Sequence, residues 1–162
     1  GVELAEIASH DDTVSLCLST GLGAPAGSIL VGSAELVVKA RRWRKVLGGG
    51  LRQSGMLAAA GLYALEHNVA RLAEDHANAN HLARGLAEMP GISIDPDQIP
   101  TKLNFFEGTR EGMTPEEFVQ HIDADGIRML PVGPHKVRAV THYHITSEDI
   151  DQALGVISKV MK

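Results

Sequence analysis

The chain has 162 residues, 44% of them hydrophobic and 22% charged, and carries a net charge of −5. That composition supplies enough apolar material for one full domain, or a small domain and part of another, and excludes general disorder. The acidic balance argues against a nucleic-acid partner. The single cysteine, Cys17, rules out an internal disulfide and fits a reducing, cytoplasmic compartment, and no apolar run approaches the ~20 residues that span a bilayer.

Residues 3–9 predict a short helix ending near His10, followed by a turn at Asp11-Asp12. Thr13 to Leu18 is β-branched and apolar, which predicts a buried strand with Cys17 as a buried structural thiol. A glycine-rich loop from Gly21 to Gly27 leads to a second short strand, Ser28 to Val31, closed by Gly32. Ser33 is a good N-cap for a helix over 34–47. The basic residues Lys39, Arg41, Arg42, Arg44 and Lys45 fall toward that helix's C-terminus, where the macrodipole favours cations.

Gly48-Gly49-Gly50 stops that helix. Residues 51–66 are rich in Ala and Leu and nearly uncharged after Arg52, so a helix buried on most sides is predicted. A further helix is predicted over 68–89, ended by Pro90-Gly91. Ile92-Ser93-Ile94 reads as a short strand, 95–101 as a proline-broken loop and Leu103 to Phe106 as a strand. Thr114-Pro115 opens a helix that ends at Asp125-Gly126. Strands over 127–130 and 137–140 flank a Pro/Gly turn, and a last helix runs from about Glu148 to Val160. The fold class is therefore α/β passing into α+β, with a boundary at residue 67/68 and, after it, an antiparallel sheet with helices on one face.

Three segments carry candidate chemistry. In the loop from Ser19 to Gly27, polar residues leave a strand and enter glycines, so backbone can approach a ligand closely; a tight crossover is the alternative. In Gly48-Gly49-Gly50-Leu51-Arg52-Gln53 a guanidinium stands near a helix N-terminus, an anion-binding arrangement or simply a solvated turn. Arg138 lies within an apolar strand, where alternation places it on one face with Val140 and His142. A guanidinium there pairs with an anion or faces water. His135, His142 and His144 lack a carboxylate or thiol placed to complete a metal site, so none is assigned.

Several of these motifs occur in one order: CLS-x-GLGAP-x-GS at 17–28, RRWRKVLGGG-x-RQSG at 41–55, AAAGLYAL-x-x-NVARL-x-EDH at 58–76 and RAVTHYHIT at 138–146. Together they resemble the low-specificity threonine aldolases of the fold-type I, pyridoxal phosphate (PLP)-dependent enzymes. The resemblance implies that residues 1–67 close the PLP-binding large domain and 68–162 form the small C-terminal domain with its linking helix. It implies PLP as cofactor, a β-hydroxy-α-amino acid as substrate, glycine and an aldehyde as products, and a homo-oligomer.

By the same resemblance Ser19 flanks the cofactor, Arg52 serves its phosphate or a subunit contact, and Arg138 grips the substrate carboxylate. Thr20 stands where the family keeps its Schiff-base lysine, and a hydroxyl cannot form an imine. The family's aspartate for the pyridine nitrogen lies upstream of the segment matching Gly1. The expectation is therefore a chain that is inactive and prone to associate by itself. The alternative is a non-catalytic subunit pairing with an intact aldolase.

Overall fold

Residues 2–109 and 112–162 are described by the computed structural model, in which the chain divides into two units, Gly1–Ala70 and Arg71–Lys162.

In the first unit a short helix α1 (Leu4–Ala8) precedes a two-stranded antiparallel hairpin, β1 (Thr13–Cys17) and β2 (Ser28–Gly32), with Thr13 opposite Gly32 and Cys17 opposite Ser28. Helices α2 (Ala34–Val46) and α3 (Gly55–His67) follow. The Ser33 hydroxyl caps α2 by accepting from Leu36 N–H at 3.3 Å.

Two expectations fail here. Strand β1, expected to be buried, is mostly exposed, as is β2. Helix α3 starts at Gly55 and buries only Gly61 and Ala64. A two-stranded ribbon has no second layer of its own, so apolar content alone does not bury it. The buried apolar residues of this unit instead gather around the glycine loop: Leu18, Leu22, Ala24 and Ala64.

The second unit begins with α4 (Leu72–Ala87), which buries Asp75, Ala79, Leu82, Ala83 and Leu86 at the spacing of one helical face. Strand β3 (Leu103–Glu107), helix α5 (Pro115–Ala124), strands β4 (Leu130–Val132) and β5 (Lys136–Val140) and helix α6 (Ser147–Val160) complete it. The sheet order is β3-β5-β4, with both pairings antiparallel.

Period-two alternation sends Asn104, Phe106, Val137 and Ala139 into the core. There they meet Leu82 and Leu86 of α4, Phe118 and Ile122 of α5, and Ile150, Val156 and Ile157 of α6. Phe106 and Phe118 pack edge to face with centroids 6.1 Å apart. The expected one-sided layer of helices on an antiparallel sheet is thus present.

Its details differ in two places. Ile92-Ser93-Ile94 contributes only an isolated bridge, Ser93 to Glu107, because the positive-φ turn at Gly91 and the break at Asp95-Pro96 leave no room for a ladder. Gly108 (φ +95°) explains the tight crossing at that bridge: a Cβ there would lie 1.9 Å from the Gly91 carbonyl oxygen. The strand predicted over 127–130 shifts to Leu130–Val132, and Pro131 is tolerated because β4 is an edge.

Capping boxes start the last two helices. Thr114 and Glu117 exchange hydrogen bonds at α5, and Thr146 and Asp149 do so at α6. The Asp149 carboxyl is held below its ordinary value first by the Thr146 backbone N–H and then by the Thr146 hydroxyl, and Glu117 is lowered in the same way by Thr114.

Replacing Phe118 with Ala should cost about 3–5 kcal/mol in urea unfolding, since the site is fully enclosed, with no exposed surface. A loss below 1 kcal/mol would contradict the core as described. Because the carboxylates of the two capping boxes titrate lower in the folded chain than unfolded, their contribution is present above the ordinary carboxylate range. It disappears as pH falls through their lowered values. Asp149→Asn and Glu117→Gln should therefore each shallow the acid limb of a stability-versus-pH curve, leaving its slope near neutrality unchanged.

Candidate functional site

The glycine-rich loop closes on itself through backbone bonds. Leu18 N–H donates to Gly27 O (3.0 Å), Ala24 N–H to Leu18 O (3.0 Å) and Gly23 N–H to Thr20 O (3.2 Å). The last is a tight turn that needs the positive φ of Gly23 (+70°). The Asn68 side-chain amide donates to Leu22 O at 2.7 Å, tying the loop to the end of α3. Buried Leu18 and Leu22 anchor the loop, while Ser19 and Thr20 remain exposed at its rim.

The turn brings three side chains together: Cys17, Ser19 and Thr20. The Cys17 sulfur lies 3.5 Å from the Ser19 hydroxyl. Hydrogen bonds from the Ser19 side chain first, then the Thr20 side chain and the two residues' backbone, lower the thiol from 9.0 to about 6. Cys17 is exposed, which corrects the expectation of a buried structural thiol. Its position at the end of a hairpin strand, with nothing packed over it among the described residues of this unit, is the reason. The sequence signal for this was the run Cys-x-Ser-Thr, two hydroxyl donors within three residues of a sulfur.

Arg52 lies in the connection between α2 and α3 and is exposed. It stands three residues before α3 begins, near that helix's N-terminus. Gln53 beside it adopts φ +49°, a left-handed conformation that costs a non-glycine residue about 1–3 kcal/mol. Lys39, one of the two lysines of α2, is engaged with Glu35 at 2.6 Å one turn away.

Arg138 belongs to the second unit. On β5 it alternates with buried Val137 and Ala139 and so points to the sheet face that the helices leave bare. Its cross-strand neighbours are Phe105 on β3 and Leu130 on β4, which makes a row of three across the sheet. Phe105 and Leu130 are 46% and 53% exposed, so the face is apolar and open. Arg138 Nε is nonetheless buried and has no hydrogen-bond partner. A desolvated, unpaired guanidinium nitrogen in an apolar setting is a strong recruiter of a carboxylate. The adjacent row is self-satisfied, with Lys136 Nζ 3.0 Å from Glu107 Oε1.

His142 does not share the Arg138 face as expected, because β5 ends at Val140. It sits in the turn before α6, where its Nδ1 accepts from His144 N–H at 3.3 Å. Among the described residues no three His, Cys, Asp or Glu side chains converge on a metal position. No helix among them is long and apolar enough to cross a membrane.

A polar cluster that sequence reasoning missed lies at the start of α4. Asp75, fully buried, pairs with Arg71 at 2.5 Å, and the Arg71 guanidinium stacks 4.3 Å over the Tyr143 ring. The Thr141 hydroxyl donates to Asp75 O at 2.6 Å, and the Asn104 amide to Ala79 O at 3.2 Å. The signal was Arg71 and Asp75 at i, i+4 spacing on an otherwise apolar face.

The fold of a small helix-covered antiparallel sheet, preceded by a hairpin and helices around a glycine loop, is that of the fold-type I PLP-dependent enzymes. A PLP-dependent aminotransferase from Streptococcus suis superposes with a TM-score of 0.71 at 16% identity, covering 92% of this chain and 41% of that one. A serine palmitoyltransferase from Sphingomonas wittichii gives 0.70 at 18% identity, covering 96% and 41%. The model of the beta-eliminating lyase family matches residues 1–109, and the chain belongs to that family.

Among curated proteins, the low-specificity L-threonine aldolase of Escherichia coli K12 is 58% identical over 150 residues, and low-specificity L-threonine aldolase 1 of Arabidopsis thaliana is 38% identical over 164. The chain spans less than half of these relatives, 43% and 45% of their lengths, while 93% and 99% of the chain itself is covered.

PLP is the cofactor of this family and of its structural neighbours. A covalent imine to that cofactor needs an amine, and the glycine-rich loop does not fit such a linkage. Position 20 presents a hydroxyl, and the loop from 18 to 27 contains no amine. The polar side chains exposed there are the Ser19 and Thr20 hydroxyls and, next to them, the Cys17 thiol.

The thiol gives a direct check on this loop. Alkylation of Cys17 by iodoacetamide should titrate with a midpoint near pH 6, rising as pH increases because the thiolate is the nucleophile. Ser19→Ala should move that midpoint upward. A midpoint near the ordinary thiol value of 9.0 in the unsubstituted chain would show that the hydroxyls do not act on the sulfur.

Proposed function

We propose that the chain is the C-terminal portion of a threonine-aldolase-type enzyme, in which residues 1–67 end the cofactor-binding domain and 68–162 form the small domain. The activity of that lineage is the cleavage of a β-hydroxy-α-amino acid to glycine and an aldehyde. The observation that carries the reading is Arg138: a partly desolvated guanidinium with an unpaired Nε, centred on a bare sheet face. Its part is to hold the substrate carboxylate by a forked pair of hydrogen bonds. Ser19 and Arg52 are its lesser partners in the reading, Ser19 beside the cofactor and Arg52 toward its phosphate or a neighbouring subunit.

Thr20 sets the limit. Without an amine at this position the chain forms no covalent cofactor linkage there, and by itself it cleaves no amino acid. The same substitution favours a second reading, a non-catalytic subunit that pairs with an intact aldolase. Homo-oligomerisation is supported by the large apolar side chains that the first unit leaves exposed, among them Trp43 at 61%, Leu47 at 80% and Met56 at 87%. A reducing, cytoplasmic setting fits a single, unpaired cysteine.

Adding PLP to the chain and recording its absorption spectrum tests the central claim. We expect no imine band and, after borohydride reduction and peptide mapping, no lysine carrying the cofactor. Trapping at one defined lysine would overturn the assignment of Thr20 as a lost attachment point.

A further inference from the structure

Phe105, the cross-strand neighbour of Arg138, has a second surface. It walls a hollow of about 380 Å³ at the outer edge of β3, shared with Leu103, Ile94 and Ile99. The Asp95 carboxylate at the rim of this hollow is already engaged. Asp95 accepts from Asp97 N–H at 3.0 Å with one oxygen and from the Gln98 amide at 2.9 Å with the other. Ile94, Ile99, Pro100, Leu103 and Phe105 offer a guest mainly apolar wall, with Thr101 and Gln98 at its margin and a carboxylate that repels anions.

Adjacent strands lie about 4.8 Å apart. A ligand whose carboxylate sits on Arg138 therefore needs a tail of roughly one to two strand spacings, about 5–10 Å, to pass over Phe105 into the hollow. An arylalkyl or branched alkyl group has that reach.

We propose that this hollow is a tail subsite, which receives the uncharged apolar substituent of a carboxylate held by Arg138, and that Phe105 is its specificity-determining residue. The proposal rests on the reading of Arg138 as the carboxylate clamp and adds to it the class of substrate: amino acids whose β-carbon bears a bulky apolar group rather than a small or charged one.

The test is a binding measurement on the chain itself, an NMR titration with acetate and with 3-phenylpropanoate that follows the Arg138 Nε–H and the Leu103 methyls. The phenyl-bearing acid should bind about tenfold more tightly than acetate. Phe105→Ala removes the shared wall, and Ile99→Glu puts a charge in the hollow. Each should bring that ratio close to one while leaving acetate affinity within about twofold. Phe105 is half exposed on the bare face, so its truncation leaves the core intact, and Ile99→Glu tests the hollow independently of it.

Equal affinity for the two acids in the unsubstituted chain, with acetate binding still lost in Arg138→Gln, overturns the tail subsite and leaves the clamp standing. A tenfold preference that survives both variants also overturns the subsite. Acetate binding indifferent to Arg138→Gln overturns the clamp and the subsite together.

Discussion

The alternation along β5 governs most of what the second unit does. Val137 and Ala139 face the helices with almost no exposed surface, so Arg138, between them, has only the other side to occupy. A slip of one residue in the pairing with β3 would bury Arg138 and expose Val137, at a cost no local contact could recover. The hydrophobic pairing of Phe106 with Val137 and the contacts of α4, α5 and α6 therefore fix a charged side chain that none of them touches. The row Phe105, Arg138, Leu130 is the reverse side of the core.

Polar groups inside the same unit are placed where the helix layer meets the end of the sheet. Arg71, Asp75, Asn104 and Thr141 join α4 to β3 and to the segment after β5, beside an otherwise aliphatic face. A buried ion pair contributes little net stability, but removing one partner is costly because the other is left charged and desolvated. The pair thus acts as a constraint on geometry: α4 fits the sheet in the one position where Asp75 meets Arg71, Arg71 meets Tyr143 and the Asp75 carbonyl meets Thr141. Leu82 and Leu86, further along the helix, supply the apolar driving force.

The first unit is organised differently. Its few buried apolar residues hold a glycine loop, and its helices and hairpin leave much apolar surface uncovered. The loop presents backbone, two hydroxyls and a thiolate-forming sulfur, a set that polarises and hydrogen-bonds but cannot make an imine. The turn that presents these groups is held by Leu18, Gly23 and Asn68.

Local pattern was enough for much of this. Thr114-Pro115 and Ser33 announce helix starts through hydroxyl geometry, Gly126 stops α5 through its positive φ, and period-two apolar residues in Leu103–Glu107 and Lys136–Val140 mark strands, because each of these signals is settled within a few residues of chain. That residues 18–27 carry no amine is likewise a matter of covalent identity. Burial was not legible in the same way. The strand Thr13–Cys17 and the Ala/Leu run of α3 read as core, yet they lie largely exposed, because burial depends on a second layer that composition cannot supply. The polar seam of Arg71, Asp75 and Thr141, the sulfur held by Ser19 and Thr20, and the hollow beside Phe105 join residues that only folding brings within hydrogen-bonding or packing distance. Sequence determined which groups are present and which local structures they start; tertiary packing decided which of them lose their water, and it is packing that leaves the Nε of Arg138 buried without a partner.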